Sequence, residues 1–591
     1  MKAVVLALFG LLAAAGFAAD PYAGYIYPSG IQAGTTNRFV VGGQNLWKLQ
    51  GVHFSGKGLK VLEIRQVPSF SPPPGMQRKH LVGWLDGIAK GVKEEPVKPD
   101  DPHISEWRSN VWYQTLGSLD ALELSIVERF LFTPRNPLQA APSLRQMCIV
   151  TVAADADAAC GTYDFSLWNN SGISAPRPFS VTAFPRMAEP LFRPAHRPAA
   201  EPAVVDAKHG GVVLDGQIMP GETDVFHLNL AGGCRYSLKV AARELQPYVG
   251  DAVPGFFNAA VVVRDGRGNV IAAGDDASRF RPDPSFDFTP RVSGEYTVEI
   301  HDVLYRGRAD FVYSMEVVPD AERPDLNARR SVDERGGDDG ILRFTGVISE
   351  PGGRSACEFT VDEPGKRVLE VFARRKGSPL DAVLTLRKAS RPDVLGRWDD
   401  VTNKVLVGTI PQAECDSVGE YDFAEAGDYI AEITDRTGHG GGDYFWNLEV
   451  RRPSPDFEVY SARSTLPLSH AKPLAVDFVI VRKDGFKGKV VLEFPENITA
   501  DDIVATSGVE RISSKLTYAG RKKLEFKEVR IFAKAEVGGE IVRREVVACD
   551  EYEQAFAWRH LVPARSFVLR AVPGKVPKKM IRKGRAARRR E

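Results

Sequence analysis

The sequence predicts a mainly β protein: tandem β-sandwich or jelly-roll domains, with a small helical insertion in the first. Three observations carry that prediction. Short apolar alternations of period two, punctuated by Gly, run through nearly the whole chain, as half-buried strands require. A block of such strands occurs twice, about 130 residues apart, as a duplicated domain does. Only one region carries apolar residues at helical spacing. At 591 residues the chain is far too long for one core, and about 150 residues per domain predicts about four domains. Its 77 Lys and Arg against 76 Asp and Glu leave a net charge of +1, so bulk charge makes no case for nucleic-acid binding. Lys575 to Glu591 alone is +8, which leaves the remainder at −7.

Residues 1–19 have the order of a secretory signal peptide. Lys2 precedes the apolar run Ala3 to Phe17, and the small residues Ala18 and Ala19 follow it before Asp20. That run is too short for a membrane span, and no later stretch reaches the roughly 20 apolar residues that spanning needs. The mature chain is therefore expected without a transmembrane segment, secreted or in the periplasm or cell envelope. Disulfides form in such a compartment. Cys148 and Cys160 flank Ala154 symmetrically, which is expected to place them opposite one another on a hairpin as a disulfide. Cys357 and Cys415 lie within one later domain, while Cys234 and Cys549 are far apart. Structural zinc is excluded, because no Cys-x-x-Cys occurs and the two nearest His, His196 and His209, are 13 apart.

Residues 20–183 read as an immunoglobulin-like sandwich interrupted by a helical insertion at about 76–132. Pro28, Gly30 and Gly34-Thr35 lead into the strand ending at Gly43-Gln44-Asn45-Leu46, and a second strand ends at Ser55-Gly56. This order resembles the IPT/TIG immunoglobulin-like fold, whose closing strands are expected at Met147 to Ala153, Thr162 to Trp168 and Arg177 to Ala183. In the insertion, Leu81, Leu85, Ile88 and Val92 form one apolar stripe, and Ile104 to Leu116 supplies a second segment. Asp120 with Glu123 three residues later suits a capping box for a third, whose Leu122, Ile126, Val127, Phe130 and Leu131 are expected to pack on the sandwich.

Residues 184–204 are rich in Pro and read as an extended linker. The duplicated block follows, at 205–318 and 331–451, with a second linker at 319–330. Its landmarks recur in order: Asp275-Asp276 with Asp399-Asp400, Asp287-Phe288 with Asp422-Phe423, Gly294-Glu295-Tyr296 with Gly427-Asp428-Tyr429, and Asp310-Phe311 with Asp443-Tyr444. These repeats resemble the bacterial pre-peptidase C-terminal (PPC) domain, a β-sandwich attached to many secreted hydrolases, often peptidases. The chain departs from that setting, because no catalytic domain accompanies the repeats. Residues 453–573 read as a further immunoglobulin-like domain, and the basic tail 574–591 lacks the apolar residues to fold.

Motifs for chemistry are missing from the sequence. It contains no Gly-x-Ser-x-Gly, no His-Glu-x-x-His and no phosphate loop. Gly266-Arg267-Gly268-Asn269 reads as a hairpin turn, and His227 and His301 read as ordinary strand residues. The remaining site candidates are Asp275, Asp276, Asp399 and Asp400, with Asp283 and Asp287 or Asp416 and Asp422 in the same loops. Clustered carboxylates can offer Ca²⁺ its hard oxygens, but turn aspartates also bond nearby backbone N–H groups. The sequence thus points to a non-catalytic secreted or envelope protein binding protein or polysaccharide. The alternatives are a structural spacer or an accessory subunit of a secreted hydrolase or peptidase. If the Asp-Asp turns take up Ca²⁺, the melting temperature rises with calcium, and replacing Asp275, Asp276, Asp399 and Asp400 by Asn abolishes the rise. An identical melting curve in chelator and in millimolar calcium overturns this.

Overall fold

The computed structural model describes residues 20–67, 78–91, 119–132, 141–191, 203–248, 255–275, 283–319, 340–376, 378–391, 393–399, 416–442, 444–520, 526–553 and 560–571. The signal segment, the helical segment at 104–116 and the basic tail lie outside them. The chain is mostly strand, in tandem two-sheet domains.

Period-two alternation sets the first repeat. Along Thr223–Leu230, Asp224, Phe226, Leu228 and Leu230 point inward, and along Gly294–Asp302, Tyr296, Val298, Ile300 and Asp302 do the same. The two strands pair antiparallel, with Asp224 opposite Ile300 and Leu228 opposite Tyr296, so both apolar sets fall on one face. Eight strands run from Val212–Gln217 to Val312–Pro319. In one sheet the first lies beside the eighth, the eighth beside the third and the third beside the sixth; in the other the second lies beside the seventh, the seventh beside the fourth and the fourth beside the fifth. That interleaving is the jelly roll. The second repeat, from Leu342–Val347 to Phe445–Arg451, has the same strand order.

The chain before and after the repeats forms immunoglobulin-like sandwiches. Tyr22–Tyr27, Thr36–Gln44, Gln146–Ala154 and Leu59–Val67 make one sheet of the first; Gly30–Gln32, Arg177–Thr182, Gly161–Trp168 and Gly51–Phe54 make the other. The last domain repeats the pattern with Asp456–Ser461, Leu474–Lys483, Arg511–Tyr518 and Ile498–Ala500. Each has a short strand parallel to its closing strand: Gly30–Gln32 on Arg177–Thr182, and Thr465–Leu468 on Phe567–Ala571.

Helix α1 (Arg78–Ala89) and helix α2 (Ala121–Phe132) come from the insertion. The capping box forms: the Glu123 N–H donates to Asp120 Oδ1 at 3.0 Å, and the Asp120 N–H donates to Glu123 Oε2 at 3.2 Å. Ile126 of α2 packs with Tyr25, Val40 and Ile149 on the outer face of the first sheet.

Two expectations are corrected. The extended linker expected at 184–204 is paired at both of its described ends, since Arg186–Ala188 joins the first jelly roll as a parallel edge strand on Val212–Gln217, and Val204–Asp206 pairs with Thr223–Leu230. Cys148 and Cys160 are both free. Cys148 is buried in the middle strand of one sheet, opposite Val41 and Gln66, whereas Cys160 is exposed just before a strand of the other sheet. The turn after Ala154 is a sheet-to-sheet corner, and six residues of strand separate Cys148 from it by about 20 Å. Burial pushes the Cys148 thiol up to about 12.

One side-chain device recurs in three domains. Tyr163, Tyr296 and Tyr429 each stand two residues after a Gly, and each hydroxyl donates to the carbonyl four residues upstream: Ala159 at 2.9 Å, Val292 at 2.8 Å and Glu425 at 2.9 Å. This is a tyrosine corner. Gly161 and Gly427 take φ of +143° and +150°, which side chains disfavour, so the Gly-x-Tyr landmark has a conformational cause. Tyr296→Phe and Tyr429→Phe are each expected to destabilise their own repeat by about 1 kcal/mol. Denaturant unfolding followed by hydrogen exchange in that repeat checks this, and an unshifted midpoint counts against it.

Candidate functional site

Two of the aspartates singled out by clustering are turn caps, and two others are ion-paired. Asp283 accepts the N–H groups of Ala242, Arg243 and Glu244 at 2.8, 2.9 and 3.0 Å, and Asp416 accepts those of Ala373, Arg374 and Arg375 in the second repeat at 3.0, 2.8 and 3.2 Å. Asp302 and Asp435 match in the same way. Asp302 takes the N–H groups of Asn258, Leu304 and Arg306, and Asp435 takes those of Asp381, Thr437 and His439. Asp287 pairs with Arg235, and Asp399 pairs with Arg436 at 3.1 Å. Asp276 and Asp400 lie outside the described residues, so the paired turns are seen only through Asp275 and Asp399. Among the described residues, no group of three or more His, Cys, Asp or Glu could hold a metal ion. His227 lies against Glu295 and His301 stacks on Tyr305, both on strand surfaces.

A cleft of about 520 Å³ opens beside the helical insertion. Ile88 of α1 and Leu122 of α2 line one side, Tyr27 and Arg38 come from the first sheet, and Glu189 and Leu191 come from the connector that follows Arg186–Ala188. The connector is fixed from both sides. Tyr27 donates its hydroxyl to the Glu189 carbonyl at 2.6 Å, and Arg186 holds Asp215 through contacts of 3.0 and 2.6 Å while also donating to Ser180 at 2.8 Å. The Glu189 carboxyl accepts the Gln217 N–H at 2.7 Å and shares a hydrogen bond with the Asp224 carboxyl. Asp224 in turn accepts the Tyr313 hydroxyl at 2.7 Å. Burial first, then the neighbouring Asp224 charge, raises Glu189 well above the usual carboxylate range. Asp224 is pushed up to about 7, chiefly by burial and against the lowering bond from Tyr313. Two carboxyls in contact cannot both ionise cheaply, so one proton is shared between them.

A second junction centres on Arg177, at the start of the first domain's closing strand and 2% exposed. Its guanidinium donates to the Ala23 carbonyl at 2.7 Å, to Tyr552 at 3.1 Å and to Tyr22 at 3.3 Å, and it bonds Tyr248 as well. One tyrosine thus comes from the first sandwich, one from the first jelly roll and one from the last sandwich. Burial works to lower the Arg177 pKa, and the tyrosine oxygens more than offset it. Around this point the first and last sandwiches meet face to face. Trp168 packs on Phe526 at 5.6 Å, Arg570 lies 4.5 Å over Trp168 and donates to Asn169 at 2.9 Å, and the Arg565 N–H donates to Asp164 at 2.7 Å. Burial lifts Asp164 to about 6.

Clustering missed Arg177, Glu189 and Asp224, yet two of them carry a signal. Asp224 stands in phase with Phe226, Leu228 and Leu230, and Arg177 in phase with Phe179 and Val181, so each places a charge on an inward face.

No protein-family model matches the chain, and no curated protein does. Among solved structures it is similar to a protein from Eubacterium rectale described as secreted, at 7% identity over 40% of this chain and 73% of that one, with a TM-score of 0.13. It is also similar to the ICAM-5 D1–D4 ectodomain fragment, at 10% identity over 92% and 99% of the two chains, with a TM-score of 0.11. The N-terminal four Ig domains of Dscam1 isoform 7.44 match at 9% identity over 70% and 88%, with a TM-score of 0.11. At such TM-scores these likenesses carry no argument about function.

Arg177→Met keeps the apolar stem and removes the hydrogen bonds, at an expected cost of about 2–4 kcal/mol to domain docking. Calorimetry is expected to show an earlier first transition, with the sandwiches themselves still folded by circular dichroism. An unchanged thermogram counts against Arg177 as the docking contact.

Proposed function

We propose that this chain is a non-catalytic, multi-domain protein of the extracellular space or cell envelope that binds protein or polysaccharide. The observation that carries the reading is the cleft between the helical insertion and the connector, because apolar Ile88, Leu122 and Leu191 line it together with polar Arg38, Asp120 and Glu189. Such a mixed lining suits a ligand with both apolar and hydrogen-bonding edges. The likeness of the first domain to TIG modules and of the repeats to PPC domains supports an extracellular setting, as does the signal-like start of the sequence. The spacer alternative requires an extended rod, and the packing of the last sandwich on the first speaks against it. The accessory-subunit alternative rests on the PPC resemblance alone.

A binding screen of the purified mature chain against envelope polysaccharides and secreted proteins tests the reading. Ile88→Arg, which fills the cleft from its half-buried rim, is expected to weaken a ligand found in that screen by about tenfold or more. Equal affinity of the variant removes the cleft from the reading, and reproducible turnover of a peptide or glycoside removes the non-catalytic reading itself.

A further inference from the structure

We propose that Glu189 and Asp224 form a proton-operated latch: sharing one proton, they fasten the connector wall of the cleft to the first jelly roll, and with both ionised they release it. The latch stands on its own geometry, while its consequence for a ligand rests on the reading of the cleft given above.

The geometry places the two carboxyls on parts that can separate. Glu189 belongs to the connector, just after its three-residue edge strand, and Asp224 belongs to the second strand of the jelly roll. Three bonds converge on the pair from fixed positions: the Gln217 N–H on Glu189, the Tyr313 hydroxyl on Asp224, and the Tyr27 hydroxyl on the Glu189 carbonyl. The first domain is therefore tied to the jelly roll through the residue that the latch holds.

The duplicated repeat supplies an internal control. Asp224 pairs with Ile300, five residues before which Glu295 follows the Gly of the tyrosine corner; in the second repeat the residue paired with the matching Ile433 is Ser355. Trp446 stands where Tyr313 stands, packed over Gly346 as Tyr313 is over Gly216. The jelly roll thus forms with a serine at this position. A buried carboxyl there is a feature of the first repeat, where the connector brings Glu189 to meet it.

The charges facing the pair do not neutralise it. Glu222, from the turn before the Asp224 strand, acts on both carboxyls as a further negative charge. Asp215 of the neighbouring strand is matched by Arg186. Tyr27 and Tyr313 face the pair as neutral donors, and Arg38, which also lines the cleft, is paired with Asp120 of the helix. Both acids are raised above the ordinary range near 4, so the protonated form belongs to the latched state. The latch is strongest below that ordinary value; Asp224 gives up its own proton at about 7, and the latch weakens as pH rises beyond that through the raised range of Glu189, when the shared proton passes to solvent and the pair goes from one negative charge to two.

Hydrogen exchange of the full mature chain, read on peptides spanning Arg186–Glu189 and Val212–Gln217 and corrected for intrinsic rates, tests this. Opening of these segments is expected to rise by about tenfold or more between about pH 6 and about pH 9.5 in the wild type. It is expected to be flat in the double variant Glu189→Gln, Asp224→Asn, which keeps the polar partners but has neither carboxyl to titrate. Should that variant lose its fold by circular dichroism, Glu189→Gln combined with Asp224→Ser, the residue of the second repeat, makes the same test. Equal wild-type protection at the two pH values overturns the latch, as does a transition that survives in a folded double variant. Ligand affinity measured at both pH values separates the two readings: exchange that responds without any change in affinity sinks the cleft, and affinity without an exchange response sinks the latch.

Discussion

The arrangement of domains depends on one buried guanidinium. Taking Arg177 out of water costs several kcal/mol unless its donors are satisfied, and the closing strand that carries it can offer only the Ala23 carbonyl and Tyr22 from its own domain. Tyr248 and Tyr552 complete the shell, and they arrive only when the first jelly roll and the last sandwich dock. Docking is thus set by what Arg177 needs. Once the three domains meet there, Tyr248 packs on Tyr552 at 5.6 Å and His560 lies 2.6 Å from the Pro247 carbonyl, so the tyrosines are themselves held by a second layer. The second repeat stands apart from this junction and is tied to the last sandwich through Arg451 and Asp484.

How much of this the sequence reveals depends on whether a feature is local. Period-two alternation and recurring Gly-x-Tyr landmarks are local, and they expose the duplicated jelly rolls and the sandwich class. The capping box is local too, because Asp120 and Glu123 see only one turn of helix. The Cys148–Cys160 expectation fails for the opposite reason. Symmetric flanking cannot distinguish a hairpin within one sheet from a corner between two sheets, and that choice is made by partners about 100 residues away. Likewise the Pro-rich connector shows no alternation of its own. Arg186–Ala188 becomes a strand only because Val212–Gln217 offers it an open edge.

Comparing the two repeats separates what the jelly roll requires from what one copy adds. Both copies keep a buried Asp capping the turn after the third strand and another capping the loop after the seventh, and both keep the tyrosine corner. These are the costs of turning a chain sharply while satisfying its N–H groups. In the clusters, Asp283 and Asp416 therefore reflect turn geometry, while Asp287 and Asp399 reflect pairing with arginines. Beyond this shared frame the copies diverge. The loop capped by Asp302 carries Leu304 and Tyr305, 67% and 54% exposed, whereas the loop capped by Asp435 carries Thr437, Gly438 and His439.

Divergence on a shared frame also bears on the cleft. Its connector wall exists because the first repeat has an open sheet edge beside Val212–Gln217 and a buried carboxyl at Asp224, and the first domain reaches that wall through Tyr27 and the jelly roll beside it through Ser29 and Ser143. A string of independent sandwiches would need none of these contacts, since each domain already buries its own apolar core. Polar groups spent between domains instead of on solvent fix their relative placement, and fixed placement matters to a protein whose cleft is built from three separate parts of the chain. Rigidity at Arg177 and a titratable contact at Glu189 then divide the labour: the first holds the domains in position, and the second leaves one wall responsive to its surroundings.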